Sequence, residues 1–138
     1  MIFGDAQAFG HLGMVLVVIH DAALRRVVAR LARAGRFSVL AVENFTHARI
    51  LTLGATPLIG TIVTDLPEHD RDIRDLFAAL RMWHPRTPTI VLTNGEVVDH
   101  RIAAGGLPPI HWIEKPFAPE EFLDTLARVC RESEPAEP

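Results

Sequence analysis

Three side chains of different chemistry follow apolar runs in this chain. Asp65 follows "LIGTIVT" (Leu58 to Thr64), Thr93 ends "TIVLT" (Thr89 to Thr93), and Lys115 lies just beyond "IHWI" (Ile110 to Ile113). A carboxylate, a hydroxyl and an amine that met on one rim would suit a phosphoryl group, serving as nucleophile, hydrogen-bond donor and cation. Lys115 is the only lysine among the 14 basic residues; the rest are arginine. A compact ammonium is not equivalent to a guanidinium, so a lone lysine in an arginine-using chain points to a site. A fourth run, "MVLVVI" (Met14 to Ile19), stops at His20 and Asp21. That corner brings one carboxylate where a metal site would want two.

The elements that must position these residues follow from periodicity. Met14 to Ile19 is a continuous, β-branched run, as expected of a strand covered on both faces. Leu24, Val27, Val28 and Leu31 then recur at helical spacing, with Gly35 as a stop. "RFSVLAV" (Arg36 to Val42) reads as a second strand. "ENFTHARILTLGA" reads as a second helix, with Asn44 as N-cap. Leu58 to Thr64 is a third buried strand, and Ile73, Leu76, Phe77 and Leu80 stripe a third helix. Thr89 to Thr93 is a fourth strand. Val97 to Ala104 is expected to form a short fourth helix, broken by "GGLPP". Ile110 to Ile113 is a fifth strand. "APEEFLDTLARVC" is a final helix, with Phe122, Leu123, Leu126, Val129 and Cys130 on one face. Five strands alternating with five helices imply a doubly wound α/β sheet with right-handed crossovers. Sites in such sheets lie at the carboxyl ends of the strands.

The bulk numbers bound the function. A chain of 138 residues with 49% apolar content suits one globular domain. Residues 1–13 read as an extension, 14–130 as the domain and 131–138 as a mobile acidic tail. A net charge of −3 without a Lys/Arg-rich run argues against nucleic-acid binding. No run approaches the length needed to cross a bilayer, and the first residues do not resemble a secretion signal. A single cysteine, Cys130, excludes a disulfide framework and suits a cytoplasmic setting. No glycine-rich phosphate loop follows the first strand, which discounts a flavin or nucleotide enzyme on this sheet.

From about Val15 to Val129 the chain resembles the receiver domain of two-component response regulators, most strongly in "VTDLP", "HPRTPTIVLT" and "EKPF". The resemblance implies a flavodoxin-like five-stranded parallel sheet in order 2-1-3-4-5 with helices on both faces. It makes Asp65 the phosphoacceptor, Thr93 the signalling hydroxyl, Lys115 the conserved-type lysine and Trp112 the switch aromatic. It also implies Mg2+ as cofactor. A histidine kinase, a phosphotransfer protein, a downstream regulator or a second copy would be partners. Output would pass through the face made by the fourth helix, fifth strand and fifth helix. Any enzyme activity would be limited to self-phosphorylation and dephosphorylation at Asp65.

The first corner departs from the family. Receivers usually place two acids after the first strand. Without a gap that pair falls on Ile19 and His20; with a one-residue bulge it falls on His20 and Asp21. Either register leaves one carboxylate. Pro67, Ile73 and Pro108-Pro109 depart as well. Magnesium wants oxygen ligands, and His20 is a poor one. Asp21 and Asp65 are therefore expected to form a weak metal site at most, with Asp21 also suited to capping the helix that follows. With an acid missing, Lys115 is expected to pair with Asp65 directly. His20 is either a loop hydrogen-bonding residue or, when protonated, a cation beside Asp65. The function expected is an atypical receiver in phosphorelay signalling; the alternative is a pseudo-receiver that acts by protein contact alone.

Overall fold

The computed structural model describes residues 14–52, 59–84, 86–95 and 109–132. In chain order these form β1 (Met14–Val18), α1 (Ala22–Ala34), β2 (Val39–Val42), α2 (Phe45–Thr52) and β3 (Ile59–Asp65). They continue through α3 (Asp70–Trp83), β4 (Thr89–Thr93), β5 (Ile110–Glu114) and α4 (Pro119–Glu132). The strands form one parallel sheet in the order β2-β1-β3-β4-β5. The doubly wound sheet is the one the apolar runs predict, and its strand order is the one the resemblance implies. The central strands β1, β3 and β4 are almost wholly buried, which is why they read as unbroken apolar runs.

Side chains alternate between the two faces of the sheet. Val15, Val17 and Ile19 pack with Val28 and Ala32 of α1 and with Phe122, Leu126, Val129 and Cys130 of α4. Leu16 and Val18 pack with Ala48 of α2 and with Ile73, Leu76, Phe77 and Leu80 of α3. The α3 stripe is the one its spacing predicts. The Asn44 side chain accepts a hydrogen bond from the His47 amide at 2.7 Å, as expected of an N-cap.

Several boundaries differ from expectation. β1 ends at Val18, although Ile19 stays in the core and its N–H still reaches the Val42 carbonyl. β2 begins at Val39 rather than Arg36, because Phe37 is buried within the turn and its N–H bonds to the Ala32 carbonyl. β3 includes Asp65 itself, and residue 58 of its expected run lies outside the described residues. α2 is described over Phe45–Thr52, and residues 53–55 of its expected span lie outside the described residues. α4 continues through Arg131 and Glu132, two residues past the helix end expected at Cys130. The residue after α1 with positive φ is Arg36, not Gly35. A Cβ at Gly35 would lie 2.8 Å from a Leu123 methyl of α4, which would have to shift to admit it. The extension 1–13, the expected helix Val97–Ala104 and residues 133–138 of the tail lie outside the described residues.

Candidate functional site

The carboxyl ends of the strands bring Asp65 and Lys115 together. Asp65 is the last residue of β3, and Lys115 follows β5. Lys115 Nζ donates to Asp65 Oδ1 at 2.8 Å. The two side chains are 23% and 28% exposed, so the pair is screened less than a surface ion pair. The Lys115 amide donates to the Thr93 carbonyl at 2.7 Å, which ties the loop after β5 to the end of β4. That backbone bond aims the one lysine across the sheet rim.

Thr93 is buried at the end of β4, one residue beyond Leu92, which lies beside Asp65 in the sheet. Its hydroxyl accepts a hydrogen bond from the Gly95 amide at 3.2 Å. Gly95 has φ of 99°, and a Cβ there would lie 2.6 Å from a Glu114 carboxylate oxygen. The turn that seats the Thr93 hydroxyl therefore depends on glycine. Trp112 is partly buried on β5 and packs against the core shared by α2 and α3.

The first corner divides its residues among different tasks. Ile19 is 1% exposed in the core and presents no ligand. His20 is exposed and lines a cavity that also reaches Asp65. Asp21 accepts the Leu24 amide at 2.8 Å and so caps α1. Arg25, which the sequence did not single out, donates to the Ile19 and His20 carbonyls at 2.9 and 3.1 Å. It pins the loop between β1 and α1. The available signal was an arginine in the first turn of a helix that follows a buried strand.

Among the described residues no group of three or more His, Cys, Asp or Glu side chains converges to hold a metal ion. The Asp21 carboxylate is used by the helix and that of Asp65 by Lys115. This donor set does not fit a carboxylate-rich magnesium site.

The cavity beside Asp65 measures about 420 Å³. Val18 and Thr64 form its floor, Phe45 of α2 one wall, and Leu76, Ala79 and Trp83 of α3 the other. The Thr64 hydroxyl donates to the Val18 carbonyl at 2.8 Å, which closes a buried polar group at the β1–β3 junction. The Arg49 guanidinium lies 4.5 Å from the Trp83 ring centroid. His84, next to Trp83, has its pKa pushed down from the usual value by burial and then by the Arg49 charge. On the opposite face of the sheet, burial pushes the Cys130 thiol up; it lies 3.3 Å from the Thr61 hydroxyl, as part of the core.

No protein-family model matches the chain. It is 26% identical over 114 residues to the response regulator protein FleR of Pseudomonas aeruginosa, a match covering 83% of this chain and 24% of FleR. The chain thus spans about a quarter of that curated relative. Among solved structures, a response regulator from Thermotoga maritima superposes with a TM-score of 0.69 at 20% identity, covering 86% of this chain and 97% of that one. The chemotaxis protein CheY4 of Vibrio cholerae also gives 0.69, at 24% identity, covering 84% and 97%. No described helix is long and apolar enough to cross a membrane. With the same strand order and near-complete coverage of these neighbours, the chain has the fold of a response-regulator receiver domain.

Proposed function

We propose that this chain is an atypical receiver module of two-component signalling, with Asp65 as phosphoacceptor. The observation that carries the reading is the ion pair of Asp65 with the lone lysine, Lys115, at the carboxyl rim of the sheet. A donor phosphoryl group would pass to an Asp65 carboxylate oxygen, with a P–N or P–O bond breaking at the donor as the acyl phosphate forms. Lys115 would move from the carboxylate to a phosphoryl oxygen, and the Thr93 hydroxyl would turn from the Gly95 amide to donate to another. A metal at Asp65 and Asp21 would be held weakly, because both carboxylates already have partners. Phosphorylation would accordingly be slow, and no further activity is assigned. Partners would be a histidine kinase or phosphotransfer protein upstream. Downstream, a regulator or a second copy would meet the face that includes Trp112 on β5 and α4.

A second reading is supported by the same corner. A closed Asp65–Lys115 pair and an N-cap aspartate give a rim that is satisfied without metal or phosphate. Such a domain would act by protein contact alone. Intact-mass spectrometry after incubation with phosphoramidate, with and without magnesium, separates the two readings. A single phosphoryl gain in the wild type and none in Asp65→Asn supports the first. No gain in a folded protein removes the phosphoacceptor role and leaves the second.

A further inference from the structure

The cavity beside Asp65 has a polarity of its own. Asp72, Asp75, Leu76, Ala79 and Trp83 all line it and lie on one stripe of α3 at helical spacing. The acids occupy the first half of that stripe and the apolar residues the second. Glu43, after β2, and Asp65, after β3, add two more carboxylates to the lining. Among the described residues, no lysine or arginine lines it. The cavity also sits at the junction of β1 and β3. There the chain leaves β1 toward β2 on one side and leaves β3 toward β4 on the other. Doubly wound sheets open a crevice at that junction, and its volume is in the range of small-molecule sites.

Charge decides what fits. The first turn of α2 borders the cavity through Phe45 and Thr46, and a helix N-terminus favours an anion with roughly half a unit charge. The carboxylates of Glu43, Asp72 and Asp75 outweigh it, the Asp65 charge being balanced by Lys115. The Arg49 guanidinium over Trp83 braces the apolar end of the wall.

We propose that this cavity is a binding site for a small organic cation with an extended apolar body. Its ammonium lies at the acidic end of the cavity, drawn by the carboxylates of Glu43, Asp72 and Asp75 without being enclosed by all of them, and its body lies along Leu76, Ala79 and Phe45. Asp65 Oδ1 is held by Lys115, so the ligand meets Asp65 through the other carboxylate oxygen and reports its occupancy to the rim. The site does not depend on whether Asp65 accepts a phosphoryl group.

The test is a fluorescence titration in a Trp112→Phe background, which leaves Trp83 as the only tryptophan of the two in the chain. The probes are 4-phenylbutylamine, its neutral analogue 4-phenylbutanol and its anionic analogue 4-phenylbutyrate, without a phosphodonor. Saturable binding of the amine is expected, about tenfold weaker binding of the alcohol and none of the acid. Asp72 and Asp75 are exposed, so Asp72→Asn/Asp75→Asn should fold normally. That variant should weaken the amine about tenfold and leave the alcohol unchanged. Ala79→Phe, which fills the cavity, should abolish both. Binding blind to charge, or amine binding unaffected by the Asn pair, overturns the proposal. So does binding of an arginine-bearing peptide without binding of the free amine, which would assign the surface to a protein. Because phosphorylation is read by mass and this site by fluorescence, either result can fail without the other.

Discussion

Neutralising Asp65 should destabilise the protein in the absence of metal, and the sign of that effect tests the account of the rim. Two unit charges 2.8 Å apart attract by about 6 kcal/mol gross at the effective dielectric of ~20 that suits such sites. Desolvation and the ordering of a long lysine cancel most of this. Exposed pairs retain about 0.2–1 kcal/mol, and breaking fully buried ones costs about 3–5. Side chains that are 23% and 28% exposed lie between these limits, so a coupling of about 1.5 kcal/mol is expected. The assay is a double-mutant cycle of Asp65→Asn, Lys115→Met and the double variant, by urea unfolding in EDTA. High salt should reduce the coupling only in part, because the pair is partly buried. In a rim where acids face one another without a cation, Asp65→Asn would instead relieve repulsion and raise stability. A stabilised Asp65→Asn variant, or a coupling below about 0.3 kcal/mol, would refute the reasoning.

Asp21→Ala should cost about 1 kcal/mol through loss of the α1 cap, whereas Asp21→Asn should cost almost nothing; equal losses in urea unfolding would show that the charge, not the cap, matters. Gly95→Ala should cost about 1–2 kcal/mol by the same assay, from a side chain at positive φ that also meets Glu114. The folded state holds the His84 pKa below its usual 6.5. Its stabilising contribution is therefore complete above pH 6.5 and lost as pH falls through that value toward the lowered folded pKa. His84→Gln should show a smaller fall in melting temperature between pH 7.5 and 5.5 than the wild type; an unchanged fall would assign the acid sensitivity elsewhere.

Most of the element positions were legible because they are written in period, whereas the strand order came only from the family resemblance. β4 occupies Thr89–Thr93 as its apolar run predicts, and the α3 stripe matches its spacing. Asp65 and Lys115 were legible because a doubly wound sheet places the ends of its strands on one rim. The cavity wall of α3 was not. Asp72, Asp75, Ala79 and Trp83 lie on a different stripe from the core residues Ile73, Phe77 and Leu80. It becomes a wall only once α2 stands opposite.

The open register at the first corner has a physical cause. A strand buried on both faces carries no polar alternation, so its sequence does not say which side chains face which way. The structure supplies that parity. Val15, Val17 and Ile19 turn toward α1 and α4, and Leu16 and Val18 toward α2 and α3. His20 continues the second set and so opens on the cavity that holds Asp65, while Ile19 is committed to the core. Asp21 comes one residue too late for the strand and begins the helix as its cap. Replacing Ile19 with an acid would therefore bury a charge in the core rather than restore a metal ligand. The single replacement with access to the Asp65 side of the sheet is at His20. His20→Asp places a second carboxylate at that corner without disturbing the Asp21 cap, and it should raise magnesium affinity where Ile19→Asp only unfolds the protein.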